Sequence, residues 1–262
     1  MDDANLFFEQ TLNKILSELD DIYFDAWQEL AEEIDPLIYE VVTDDESLSL
    51  KQKMDHANKN KSLESLTSVF TLFAIGCNLD AISIINGSLN LVYKVGYNTA
   101  AKNLQIPLLK EDINSDDILS KYTKRAYQSS VQKNYISAEI MDIIKKGFRD
   151  GKGTKYISKK IEMAFKKSKS SAMRIARTEI NRIRNASTYD AMKQAERAGV
   201  NFKKIWRHSI VPKRPRDWHM DMDGESKEVD ELFSNGLLFP NDPDGSAKEV
   251  INCMCYMQTE LI

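Results

Sequence analysis

Two stretches of the chain hold residue types that can do chemistry: RPRDWHMDMDG, from Arg214 to Gly224, and NCMC, from Asn252 to Cys255. Together they offer a histidine, three aspartates and two thiols. Imidazole nitrogen and thiolate sulfur are the donors that zinc prefers, and a carboxylate completes many such sets. The candidate ligands are therefore His219, Cys253 and Cys255, with Asp221 or Asp223 as a further donor. The spacing counts against this reading: structural zinc sites usually present C-x₂₋₄-C, and C-x-C on a strand is expected to send its two thiols to opposite faces, so that both reach one ion only if the backbone bends. A second chemistry would use His219 as a general base and Asp221 or Asp223 as metal ligand or orienting carboxylate, in a metal-dependent nuclease or other hydrolase. Nothing else completes it: there is no nucleophilic serine in a glycine elbow, no phosphate-cradling glycine loop and no His-Glu-x-x-His. No catalytic residue is assigned on these grounds. The remaining reading is architectural. Asp217, Asp221 and Asp223 cap turns, Gly224 supplies a positive φ, and His219 donates hydrogen bonds across a small fold whose core is Trp206, Trp218 and Phe233. No cofactor is required, and zinc is the one ion the set could take.

A different kind of site is written into the helix that precedes these stretches. With residues 100° apart, Ala172, Ala176, Ile180, Ile183, Ser187, Ala191 and Ala198 fall on one side, and Arg174, Arg177, Asn181, Arg184 and Thr188 fall on the other. The first face packs, while the second is cationic. Arg174, Arg177 and Arg184 are the candidate nucleic-acid contacts, since the guanidinium fork suits phosphate. No stacking aromatics interleave with them, so such contact would be independent of base sequence and sensitive to salt.

The elements that must position these residues are mostly helices. Apolar spacing predicts a long amphipathic helix from Asn5 to Glu33, ended or kinked by Pro36, and two more over 62–76 and 79–104. Helices are expected in 118–135 and 138–153, another from Thr154, whose hydroxyl caps it, and a last one from Ser170 to Ala198, closed by Gly199. After Gly199 the texture becomes that of strands and turns: NFKKIWRHS and KEVINCMCYMQ read as strands around the turn-rich GLLFPNDPDG. The fold class is thus mainly α, with elongated helical N-terminal and middle regions and a small C-terminal α+β domain. Domain boundaries are expected at 1–118, 119–200 and 201–262, with helix 170–199 packed on the last.

The net charge of −4 conceals a segregation along the chain: −14 over 1–118, +18 over 119–218 and −8 over 219–262. A basic middle between acidic ends suits either a polyanion or partners of opposite charge. The best apolar run is interrupted by Asn78, Asp80, Asn86 and Gly87, so no membrane segment is expected, and the acidic start lacks the features of a signal peptide. Three cysteines give no even disulfide framework, which fits synthesis in a reducing cytoplasm.

Taken in order, ARTE (Ala176 to Glu179) with Asn185 and Gly199, Lys204 with Trp206, Arg216 with His219, Asp223 and Gly224, Pro240 with Pro243, and NCMC resemble the C-terminal region of phage Mu F-like minor head proteins, the head morphogenesis family. The resemblance covers roughly 170–258. One departure is Met254, where the family commonly has Arg. The resemblance implies a structural, non-enzymatic virion component in the head interior or at the portal vertex, assembled in the host cytoplasm. It would act in head assembly, DNA packaging or ejection. Its implied partners are the portal protein, a major capsid or scaffolding protein and phage DNA, and its structural cluster would be Trp206, Arg216, His219, Asp223, Gly224, Cys253 and Cys255.

Overall fold

The computed structural model describes residues 3–41, 52, 62–111, 117, 121–122, 139, 142–143, 146–147, 150, 152, 154–209 and 215–262. Three long helices dominate: α1 (Asp3–Val41), α2 (Ser62–Asn103) and α3 (Thr154–Arg197). The short C-terminal elements are β1 (Phe202–Arg207), α4 (Asp217–Asp221), β2 (Ser226–Lys227), α5 (Ala247–Val250) and β3 (Tyr256–Leu261). The protein is mainly α with a small C-terminal α+β region. Among the described residues no helix is long and apolar enough to cross a membrane.

Several expected helix ends are interior positions instead. α1 continues through Pro36, whose missing N–H removes one hydrogen bond without stopping the helix. α2 unites 62–76 with 79–104, and α3 unites the segments expected to part near Lys167 and Ser170. The run from 166 to 171 has no Gly or Pro and so lacks the backbone reason to break a helix, while Gly76 at the junction within α2 weakens that helix without stopping it. Where glycine does end one, the expectation holds: Gly199 follows α3 with φ +78°. The helices expected in 118–135 and 138–153 lie largely outside the described residues.

The chain divides into two compact units, one of 1–16, 84–128 and 173–262, the other of 17–83 and 129–172. In the second, Leu19, Tyr23, Leu30, Ile157, Ile161 and Ala164 are buried. Lys169 pairs with Asp20 and Lys167 with Glu139, the latter at 3.0 Å.

The first unit contains the candidate sites. Its sheet has the order β2-β1-β3, antiparallel throughout, with Phe202 opposite Leu261 and Arg207 opposite Tyr256. On α3, Ala176, Ile180, Ile183, Ser187 and Ala191 are buried as the apolar face requires. Polar residues of the helix are buried as well, namely Thr178, Asn181, Arg182, Asn185 and Thr188, while Arg184 is half-buried. Part of the reason is Gly96 on α2, where an added Cβ would meet Ser187 Oγ at 2.2 Å and Arg184 O at 2.8 Å. Only a glycine lets the two helices approach this closely. Asp190 accepts from Tyr93 Oη at 2.6 Å, from Tyr122 Oη, and from Lys121 Nζ at 2.9 Å, which ties α2 and residues 121–122 to α3.

Candidate metal centre and its polar frame

The site is built on one polar stripe of α3. Asn181 Nδ2 donates to Asn241 Oδ1 (2.8 Å), Cys253 O (3.1 Å) and Cys255 O (2.9 Å). One turn later Asn185 Nδ2 donates to Cys255 O (3.0 Å), while its Oδ1 accepts from Met257 N (3.2 Å). Thr178 Oγ1 accepts from Asn252 N at 2.8 Å. Asn241 Nδ2 donates onward to Val250 O (2.8 Å) and Cys253 O (3.2 Å), and Arg182 Nε donates to Asn241 O (2.9 Å). These side chains satisfy a loop whose backbone has no ladder partner of its own, as buried amides must be satisfied.

That loop differs from the expected strand. KEVINCMCYMQ begins as α5, turns at Asn252 with φ +56°, and becomes β3 only at Tyr256. Asparagine tolerates the left-handed region better than most residues, which locates the turn. Both cysteines lie between turn and strand, buried and without a disulfide.

Opposite them, α4 carries His219, 1% exposed. Its Nδ1 lies 3.5 Å from Cys253 Sγ and 3.6 Å from Cys255 Sγ, and its Nε2 lies 2.8 Å from Glu249 Oε2. Glu249 also accepts from Trp218 Nε1 (3.0 Å) and Asn235 Nδ2 (3.4 Å). The C-x-C spacing that counted against a shared ion thus brings both thiols to one atom. In extended backbone, residues two apart share a face.

Electrostatics follow the contacts. Burial works against charge on the His219 ring, but the bonds to Cys253 and Glu249 outweigh it and its pKa lies above the ordinary value. Burial likewise raises Glu249, and the bonds from His219 and Trp218 more than compensate, leaving it low. The hydrogen bond from Cys255 brings the Cys253 thiol down to about 5, against the effect of burial, while Cys255 is pushed up by the same pairing.

The other expected site residues are placed as follows. Trp206 is fully buried, edge-on to His219 and to Phe233 with centroids 5.2 Å apart in each case. Arg216 clamps the α5 end by donating to Lys248 O (2.8 Å) and Ile251 O (2.6 Å). Asp223 Oδ1 accepts from His208 N at 2.8 Å, which ties the turn after α4 to the end of β1, Gly224 has φ +86°, and no side chain caps the N-terminus of α4. Trp218 does not join the core: it is 38% exposed, one residue round the helix from the inward-facing His219. Asp217, Asp221 and Asp223 are all exposed, and the ligand cluster is His219, Cys253 and Cys255 with no aspartate. The hydrolase reading loses the carboxylates it needed.

On the helix, Arg174 is exposed and Arg177 half-buried. Arg184 instead has its guanidinium carbon 4.4 Å from the Phe8 ring centroid and 4.7 Å from that of Tyr256. Both rings offer it a cation–π face.

Sequence reasoning left four features unforeseen: the burial of the Glu179–Arg182 pair, the burial of Lys204, and the parts played by Asn241 and Glu249. Glu179 and Arg182 form a buried pair with both N–O distances 2.6 Å. Lys204 is fully buried and donates to Val229 O and Leu238 O, each at 2.8 Å. Asn241 and Glu249 were absent from the candidate set. The pairing of Glu179 with Arg182 was legible as an i,i+3 contact, but its burial was not.

Comparison with known proteins places these residues. Residues 138–258 match the family described as Phage Mu protein F like protein. The NAD(+)--arginine ADP-ribosyltransferase EFV of Enterococcus faecalis is 30% identical over 159 residues, 58% of this chain and 32% of that protein. The uncharacterized protein YqbB of Bacillus subtilis is 44% identical over 61 residues, 21% of this chain and 20% of that protein. The chain therefore spans about a third and a fifth of the curated relatives it matches. No solved structure matches. The Asn181 frame, the His219 cluster, β1, β2 and the start of β3 fall within the matched span, and residues 138–258 are similar to the phage Mu F-like family.

Proposed function

We propose that this chain is a structural minor head protein of a tailed phage, assembled in the host cytoplasm and resident in the virion. It acts in head assembly and in DNA packaging or ejection, at the portal vertex or the inner capsid. The observation that carries the reading is the family match over 138–258, in which the polar residues turn inward onto their own loop. A module of that kind supports a docking surface better than it supports turnover. The proposed partners are the portal protein, a major capsid or scaffolding protein, and phage DNA contacted without regard to sequence.

The transferase activity in the name of the Enterococcus faecalis relative belongs to a protein of which this chain covers 32%. We do not carry it over. Purified chain incubated with plasmid DNA and a divalent metal is expected to leave the DNA intact; cleavage that disappears in His219→Ala would overturn the structural reading in favour of a nuclease.

DNA contact, if made by α3, rests on Arg174 and Arg177, because Arg184 is engaged with Phe8 and Tyr256. Replacing both by Ala is expected to weaken binding at low salt equally across unrelated duplexes, and to flatten the salt dependence by about two phosphate contacts. Titrations by fluorescence anisotropy at several salt concentrations check this. An unchanged slope removes the helix from the interface.

A further inference from the structure

We propose that His219 Nδ1, Cys253 Sγ and Cys255 Sγ bind a zinc ion that locks the loop between α5 and β3 onto α4, with Glu249 orienting the histidine. The inference stands apart from the head-protein reading. Either can fail without the other.

The first argument is distance. With Zn–S of about 2.3 Å and Zn–N of about 2.0–2.1 Å, tetrahedral angles place sulfur and nitrogen about 3.5 Å apart. The two observed separations are 3.5 and 3.6 Å, and all three ligand atoms lie within 4.8 Å of one another. The second argument is ligand type. Two thiolates and an imidazole in tetrahedral array select zinc over the hard cations, which take oxygen.

The third argument is the surrounding shell. Metal-binding histidines almost always donate the other ring N–H to a carboxylate or carbonyl, and Glu249 is in place 2.8 Å from Nε2. Glu249 is itself fixed by Trp218 and Asn235. The carbonyls of both cysteines are pinned by Asn181, so the thiols are presented by a held backbone. The Trp206 indole N–H is fully buried without a hydrogen-bond partner within reach.

On binding, zinc takes both sulfurs as thiolates and His219 Nδ1 as a bare nitrogen, so the protons those atoms carried are released to solvent, and Nε2–H remains donated to Glu249. The three ligands are at most 3% exposed, so a fourth ligand of solvent origin would sit enclosed and not in an open cleft. The role is structural: the ion joins α4 to the loop between α5 and β3.

The test is metal analysis of full-length protein purified without chelator, with cobalt(II) substitution to read the ligands. Stoichiometric zinc, and cobalt spectra showing thiolate-to-metal charge transfer with four-coordinate bands, are expected. Cys253→Ser and Cys255→Ser should lose both. Because those variants risk misfolding, Glu249→Gln provides the second arm: it removes no ligand, and zinc affinity should fall about 10–100-fold in a chelator competition. Folded wild-type protein that carries no zinc, takes up no cobalt and shows no change of melting temperature with zinc or chelator would overturn the proposal. Zinc retained undiminished in Glu249→Gln, Cys253→Ser and Cys255→Ser would overturn it as well, since the ion would then lie elsewhere.

Discussion

Trp206→Ala is expected to lower the stability of the C-terminal region by about 3–5 kcal/mol, the usual cost of emptying a buried aromatic site. Trp206 is 0% exposed and stands on β1, the central strand, between the rings of His219 and Phe233. Its loss leaves a cavity at the point where sheet, α4 and the cysteine loop meet. Trp206→Phe keeps one aromatic ring in the site and leaves a smaller cavity than alanine does, so its cost should be clearly smaller. Trp218→Ala is the control: that ring is 38% exposed, and its removal should cost little beyond its bond to Glu249. Urea unfolding followed by intrinsic fluorescence and circular dichroism measures all three. Equal losses in Trp206→Ala and Trp218→Ala would deny Trp206 its central place.

Arg182→Met is expected to cost a similar amount, about 3–5 kcal/mol, because it strands a buried carboxylate. Glu179 and Arg182 are 8% and 9% exposed at their side chains, and Arg182 also holds Asn241 O. Burial raises the Glu179 pKa above its ordinary value even with Arg182 opposing it. Without Arg182 the folded-state pKa rises further. Between the unfolded value and that raised one, the native state binds more protons than the unfolded state, so stability falls as pH rises through the window. The penalty of Arg182→Met is therefore largest at neutral pH and shrinks on acidification as Glu179 takes up its proton. The double variant Glu179→Gln, Arg182→Met should be less destabilised at neutral pH than Arg182→Met alone, since no charge is left buried. A double variant as unstable as the sum of the singles would show that the two side chains act independently.

How much of this was readable beforehand depended on the kind of signal. Backbone punctuation read well: Gly199 and Gly224 take the positive φ expected of them, and β1 lies within the segment whose alternation suggested it. Helix ends inferred from polar runs read poorly, since nothing in Lys166 to Ser171 forbids a helix and α3 passes through. The polar face of α3 was the largest surprise. Period alone grouped Asn181 and Thr188 with Arg174 and Arg177 as solvent-facing, but a helix can bury a polar stripe if another backbone supplies acceptors, and the cysteine loop does. The wheel carries no information about what lies opposite it. For the candidate centre, residue type was informative and spacing misleading: His219, Cys253 and Cys255 converge, whereas the neighbouring aspartates, closer in sequence to His219, point to solvent. Glu249 carried no local signal, because its role depends on α5 packing beside α4.

The account holds that this chain is built into a phage head. Quantitative mass spectrometry of heads purified from the phage that encodes it tests that claim directly. The chain should be recovered with the heads, at a small fraction of the major capsid protein's abundance, and should resist removal by salt washing. Heads that are complete and DNA-filled yet contain none of it would contradict the account.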